Sequence, residues 1–330
     1  MTNFASTIMK NKTKDNFFYK PNMTDTTIII GTNSWGGSLY SKILRGSSVS
    51  KETIKQTAEL AINNGFIMFD TARNYGFGKS QKLIGEFALP EMKISTKFTP
   101  FSKKYKPGQV RKSLEKDLKD FNRKFVDIYW LHLPMSIEEN LMEMAILYRE
   151  GKIGAIGISN CNLEEAKLAK EILDREQIPL YGIQNHYSLI ERTWEQNGLV
   201  EWCVNNNIKF WAWAVLEEGM LTGSTPSGVM SLIYRRRTKK LQPLYKVMGD
   251  IGERYGISTA QVAIVYCLTK GITPVCGCRK PYHIEQLIQD SAIRFTDDEI
   301  KILETTAQQC GVTVMKADMF RFMSNLSIWL

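Results

Sequence analysis

Apolar positions along the chain follow two alternating rhythms. Short β-rich runs occur at Thr27–Gly31, Phe66–Asp70, Lys93–Lys97, Val126–His132, Ala155–Ser159, Tyr181–Gln184, Lys209–Ala214 and Thr273–Cys276. Between them lie segments such as Lys51–Asn63, Gly108–Phe121 and Leu163–Arg175, where apolar residues recur at the three- and four-residue intervals of an amphipathic helix. Ser50 and Ser258 stand where N-caps belong. Strands that alternate with helices are parallel and joined by crossovers. Eight such units, with no linker-like stretch dividing them, predict a single-domain α/β fold, a (β/α)₈ TIM barrel, rather than a doubly wound sheet. The polar stretch 1–24, rich in Lys, Asn and Thr, predicts a loosely ordered extension before a barrel over 25–330. The apolar tail Met315–Leu330 suits folding over a pocket near the barrel mouth, or docking on the barrel or on a second subunit.

In such a barrel the chemistry sits at the C-terminal ends of the strands. Strand two ends in Asp70, strand three in Lys97 and strand four in His132. Strand five ends in Ser159-Asn160, strand six in Gln184-Asn185 and strand seven in Trp213. Polar and ionisable groups thus punctuate apolar runs where a barrel places its active site. A doubly wound dehydrogenase would instead carry G-x-G-x-x-G after its first strand, and the segment Gly31–Gly37 lacks that spacing.

Asp70, Tyr75, Lys97 and His132 make a coherent set. Each alone reads as a helix cap, a packing residue, a solvated strand end or a satisfied core histidine. Together they suit reduction of a carbonyl, which needs a hydride on carbon and a proton on oxygen. A Tyr hydroxyl can donate that proton, but its ordinary pKa is about 10. A neighbouring Lys ammonium favours the phenolate and is expected to lower that pKa, and a carboxylate keeps the ammonium charged in a semi-buried site. A His N–H can hold the substrate oxygen and stabilise developing charge.

With these residues in place, the chain resembles the aldo-keto reductase superfamily from about Thr27 to about Thr306. The carriers of the resemblance are Phe69–Gly76 around Asp70 and Tyr75, Ser95-Thr96-Lys97, Trp130–Pro134 around His132, and Glu150–Asn160. The resemblance implies an NADPH (NADP⁺) cofactor and a small-molecule carbonyl substrate, an aldehyde or ketone reduced to an alcohol. It implies that Ser159, Asn160 and Gln184 hold the nicotinamide carboxamide and that Trp213 stacks on the nicotinamide ring. Further cofactor contacts are implied at Gly31 and Thr32, at Asp70, at Leu216 and Leu221 in the loop after strand seven, and at Gly277, Cys278, Arg279 and His283. Arg279 matches the position nearest the 2′-phosphate. Trp35, Arg73 and Trp130 are candidate substrate-lining residues, and simple packing is an equal reading for Trp35. The chain departs from the family pattern at Ala214-Val215, where Ser-Pro is common, and at His283 and Leu287, where Gln and Asn are common. A strand-ending His186 reads as structural. The alternative from another class is a cofactor-binding regulatory subunit of the channel β-subunit type, with slow or no turnover; a barrel lyase or isomerase reusing the Tyr and Lys is a third.

Composition narrows the partners. The 330 residues carry a net charge of +9. The basic residues are dispersed except for Arg235–Arg237 and Lys239-Lys240, and no nucleic-acid motif accompanies them, so no nucleic-acid partner is expected. That basic run falls in the loop expected after strand seven, either as a solvated loop or as a cover over an anionic ligand. Six cysteines show no metal-ligand spacing, so no metal site is expected and buried thiols in a reducing cytoplasm are. No apolar run is long enough to span a membrane, and the opening residues lack a secretory pattern. A cytoplasmic enzyme is the expectation, with homo-oligomerisation left open.

Overall fold

The structure is a computed structural model and describes residues 28–36, 49–102, 104–223 and 229–314. The expected N-terminal extension 1–24 and the tail 315–330 lie outside the described residues. Eight parallel strands close into a barrel in chain order. They are β1 (Ile29–Gly31), β2 (Met68–Asp70), β3 (Lys93–Phe98), β4 (Ile128–Leu131), β5 (Ile156–Ser159), β6 (Leu180–His186), β7 (Lys209–Trp213) and β8 (Thr273–Gly277). Closure is made by β1 on β8, with Gly31 opposite Gly277. The expected strands all form, with ends moved by one or two residues.

Helices cover the barrel: α1 (Lys51–Asn63), α2 (Lys79–Phe87), α3 (Gln109–Phe121), α4 (Ile137–Arg149), α5 (Leu163–Arg175), the short α6 (Thr193–Gln196), α7 (Leu199–Asn205), α8 (Val229–Lys240), α9 (Gln242–Tyr255), α10 (Thr259–Thr269), α11 (Pro281–Ala292) and α12 (Asp297–Cys310). Ser50 caps α1 by accepting from the Thr53 N–H. Ser258 and Gln261 form a reciprocal capping box at the start of α10. No described helix is long and apolar enough to cross a membrane.

Two apolar clusters hold the fold. The larger lies between the outer faces of the strands and the helices, where Ile30, Phe69, Ile94, Tyr129, Ile158 and Ile183 meet the buried faces of the helices. The smaller fills the barrel interior with Ile29, Ile128, Trp130 and Trp211. Trp130 needs that interior kept small elsewhere. A Cβ on Gly157 would overlap the Trp130 ring, and one on Gly182 would sit 3.2 Å from it. These two glycines let one strand carry a tryptophan inside an eight-stranded barrel.

The basic run after β7 is not a loop. It forms the second half of α8, where Tyr234 and Thr238, four residues apart, are buried on one face. Arg235, Arg236, Lys239 and Lys240 are exposed. Arg237, Lys239 and Lys240 fall in the last turn, where cations are favoured by the helix dipole. Good helix formers together with two buried positions at i and i+4 override the loop expectation. Five of the six cysteines are buried, and Cys310 is half-buried.

Candidate active site

Strand alternation assembles the site. Side chains two residues apart on a strand share a face, so Ser95 and Lys97 of β3 point with Trp130 and the following His132 into the barrel mouth, beside Asp70 at the end of β2. The Lys97 ammonium donates to Asp70 Oδ2 at 2.5 Å and to the Thr71 carbonyl at 2.9 Å. The other carboxylate oxygen, Oδ1, accepts from Ser95 Oγ at 2.8 Å and from Gln184 Nε2 at 3.0 Å. Ser95 in turn accepts from the Trp130 indole at 2.7 Å. Lys97 and Asp70 are 1% and 2% exposed, so this ion pair is withdrawn from water and every oxygen of the carboxylate is partnered. Burial works against the Lys97 charge, but Asp70 and then Tyr75 more than offset it, and its pKa stands above the ordinary lysine value.

Tyr75 opens the tight turn Tyr75–Gly78 after β2. The next residue, Gly76, has φ 57°, and a Cβ there would overlap the Gly36 carbonyl of the loop after β1. Only glycine allows the two loops to touch and so seats Tyr75 at the mouth. The Lys97 ammonium lies 5.2 Å from the centre of the Tyr75 ring. The hydroxyl pKa nevertheless moves up, against the expectation of a lowered value. Burial is the largest cause, Lys97 opposes it, and Asp70 adds to it. The carboxylate that keeps Lys97 charged also cancels much of its pull on the phenol.

His132 lies just beyond β4, with Thr99 Oγ1 at 2.7 Å from its Nδ1. Burial, with Lys97 nearby, drives its pKa down to about 3, so the ring is neutral. Its backbone carbonyl accepts from Asn160 Nδ2 at 2.9 Å.

The residues expected on the nicotinamide side gather on the neighbouring strands. Ser159 donates to the Gln184 carbonyl at 2.5 Å, and the Asn160 side-chain amide lies 3.2 Å from the Ser159 hydroxyl. Trp213, half-buried at the end of β7, donates from Nε1 to Asn160 Oδ1 at 3.1 Å. Leu216 and Leu221 belong to the apolar core beneath the loop that follows, where the Leu221 N–H donates to the Leu216 carbonyl. Beyond β8, at the end of β1, Thr32 donates from N and Oγ1 to the Asp70 carbonyl. Gly31 and Gly277 are register partners there. Arg279 stands just before α11. His283, in the first turn of that helix, accepts at Nδ1 from the backbone N–H of Arg279 at 3.1 Å and of Lys280 at 3.4 Å. Burial, helped by Arg279 and Lys280, lowers the His283 pKa to about 4. His283 therefore orders the loop as a neutral acceptor and brings no charge of its own.

The three candidate substrate-lining residues are held by contacts within the protein. Trp35 packs among Phe69 and Phe87 in the outer core and donates from its indole to the Cys278 carbonyl at 2.7 Å. Arg73 donates from Nε to Asp117 at 2.5 Å and from a terminal nitrogen to Asp120 at 3.0 Å, both on α3. It ties the Tyr75 segment to a helix. Trp130 is fully buried as the floor beneath the Asp70–Lys97 pair. Sequence reasoning passed over Ser95, Thr99 and Glu217. Ser95 opens the Ser95-Thr96-Lys97 run two residues before Lys97, on the same strand face, and that periodicity could have found it. Among the described residues no group of three or more His, Cys, Asp or Glu is placed to hold a metal ion.

The chain matches the family model described as the aldo/keto reductase family over residues 27–308. It is 28% identical over 304 residues to the chloroplastic pyridoxal reductase of Arabidopsis thaliana, covering 84% of this chain and 82% of that one. The fold is similar to the glycerol dehydrogenase of Gluconobacter oxydans, with a TM-score of 0.73 and 23% identity over 88% of this chain and 94% of the other. It is also similar to an aldo/keto reductase of Klebsiella pneumoniae solved with NADP and acetate, with a TM-score of 0.66 and 19% identity over 84% and 90% of the two chains.

Proposed function

The chain belongs to the aldo/keto reductase family, and on that premise we propose that it is an NADPH-dependent reductase of a small aldehyde or ketone, with Tyr75 as the proton donor. The observation that carries the reading is the convergence of Tyr75, the buried Lys97–Asp70 pair and a neutral His132 at the barrel mouth. The residues present suit the cofactor. A cluster of carboxamide and hydroxyl groups, Ser159, Asn160 and Gln184, adjoins the half-buried indole of Trp213. The start of α11, with Arg279 and Lys280 before it, offers cations to a phosphate. When bound, NADPH supplies the hydride; Ser159, Asn160, Gln184 and Trp213 would hold its nicotinamide end and Arg279 its 2′-phosphate. The Klebsiella pneumoniae structure solved with NADP supports that choice of cofactor.

The chain's own residues manage the oxygen. A raised pKa keeps Tyr75 protonated near neutral pH, which is the form a donor needs. As the proton passes to the substrate oxygen, the Lys97 ammonium stabilises the phenolate left behind until water reprotonates it. A Thr99 hydroxyl donating to His132 Nδ1 leaves the ring proton on Nε2, which can donate to the carbonyl and hold it beside Tyr75. Because His132 is neutral, it orients the substrate and does not compete as the acid.

The test is loss of NADPH absorbance with a panel of aldehydes and ketones. Pyridoxal belongs in that panel, since the Arabidopsis thaliana relative is named as its reductase. Tyr75→Phe is expected to lose about 10²–10⁴-fold in turnover while keeping its NADPH affinity. Full activity in that variant would sink the mechanism. Tight NADPH binding with no turnover on any carbonyl would instead favour a cofactor-sensing subunit.

A further inference from the structure

We propose that His186 and Glu217 act together as positioning residues that set the plane of Trp213, the surface on which the nicotinamide ring stacks; the inference rests on the reading above. His186 ends β6 and Trp213 ends β7, and the two are partners in the strand register. Neighbouring strands lie about 4.8 Å apart, so side chains at paired positions on one face can stack. Here they do: the imidazole and indole centroids are 4.6 Å apart with only 18° between their planes.

A stacked ring guides its neighbour only if it is itself held, and this one is. His186 Nε2 lies 2.8 Å from Glu217 Oε1, and the same oxygen accepts from Ser188 Oγ at 2.5 Å. His186 and Glu217 are 4% and 5% exposed. A carboxylate buried to that degree is costly unless it is partnered. The backbone also bears a cost, because Ala214, Glu217 and Glu218 all take positive φ, at 60°, 47° and 54°. The loop after β7 thus turns through three left-handed non-glycine residues and delivers the Glu217 carboxylate beneath the mouth, onto His186. None of the groups that handle the carbonyl oxygen uses this pair.

The indole is held at its edge as well, by Asn160 Oδ1 at 3.1 Å, and Asn160 also donates to the backbone carbonyl of His132. Trp213 is therefore fixed on its face by His186 and at its edge by a residue tied to the strand that carries His132. The angle of the stacking surface is set relative to the group that orients the carbonyl.

Three variants separate positioning from plain stability. His186→Gln keeps a hydrogen bond to Glu217 and removes the stacked ring. Glu217→Leu keeps the ring and removes the carboxylate that holds it. Glu217→Gln keeps a hydrogen bond to the ring. NADPH dissociation constants are measured by titration, with melting temperature alongside. His186→Gln is expected to weaken NADPH about three- to tenfold, the scale of a lost aromatic contact. Glu217→Leu is expected to weaken NADPH by a similar factor, and Glu217→Gln, which still holds the ring, by less. An unchanged affinity in His186→Gln, with only its melting temperature lowered, overturns the proposal. So does a folded Glu217→Leu variant that binds as tightly as wild type. Wild-type protein that binds no NADPH would overturn the functional reading too. Wild type that binds NADPH and reduces carbonyls, with His186→Gln binding equally well, overturns this inference alone.

Discussion

Asp70→Asn is the sharpest probe of the buried machinery. All three side-chain partners of the carboxylate are donors: Lys97 Nζ, Ser95 Oγ and Gln184 Nε2. Ser95 receives the Trp130 indole N–H and gives its one proton to Asp70, so an amide NH₂ turned towards it would displace that bond. An Asn side chain offers one oxygen and one NH₂ group. Whichever way it turns, the NH₂ meets either the Lys97 ammonium or the Ser95–Gln184 pair. The substitution also strips the counter-ion from an ammonium that is 1% exposed. Breaking a buried pair in this way costs about 3–5 kcal/mol. With Asp70 gone, burial acts on Lys97 with less opposition, its pKa falls, and the support for a Tyr75 phenolate goes with it. Urea unfolding reads the stability, and NADPH oxidation reads turnover. Adding Lys97→Met to Asp70→Asn removes the stranded charge and lets the amide face a neutral neighbour, so the double variant should recover at least half of the stability lost, while remaining inactive. A loss under about 1 kcal/mol in Asp70→Asn, far below the range for a broken buried pair, would refute this account. Simple additivity of the two substitutions would refute it as well.

Two further outcomes follow from the electrostatics. His132 has a folded pKa of about 3 against an ordinary value of 6.5; above 6.5 it is neutral in both states and its contribution is full, whereas on acidification the unfolded chain takes a proton that the folded one refuses. Its share of the stability should therefore fall between about pH 6.5 and 3, by up to about 1.4 kcal/mol per pH unit, and urea midpoints of His132→Gln should show a shallower slope than wild type across that window. Arg279→Ala should weaken NADPH by about one to two decades, the cost of one charge-assisted phosphate contact, and leave NADH nearly untouched; equal losses for both in parallel fluorescence titrations would show that the residue does not meet the 2′-phosphate.

The barrel was legible in the sequence because its signals are local. Alternating β-rich and helical periods come from contacts between residues a few positions apart, and so do the caps at Ser50 and Ser258. Strand ends then located Asp70, Lys97 and His132, since a parallel barrel brings all C-terminal ends to one mouth. The basic run after β7 shows where local reading slips: its charges suggested a loop, but Tyr234 and Thr238 needed a partner surface to declare a helix face.

Only the tertiary structure decided where side chains go and what field they meet. Arg73 turned to two carboxylates on α3, Trp35 to the outer core, and Trp130 to the barrel floor, where Gly157 and Gly182 leave room for it. Lys97 was expected to lower the Tyr75 pKa; burial and Asp70 reversed the sign. Glu217 looked like one more acidic loop residue until the chain folded it onto His186. Such effects join residues far apart in sequence, Gln184 to Asp70 across 114 positions among them. Burial and pairing depend on what the closed barrel brings within a few ångströms, and no short-range pattern along the chain encodes that distance.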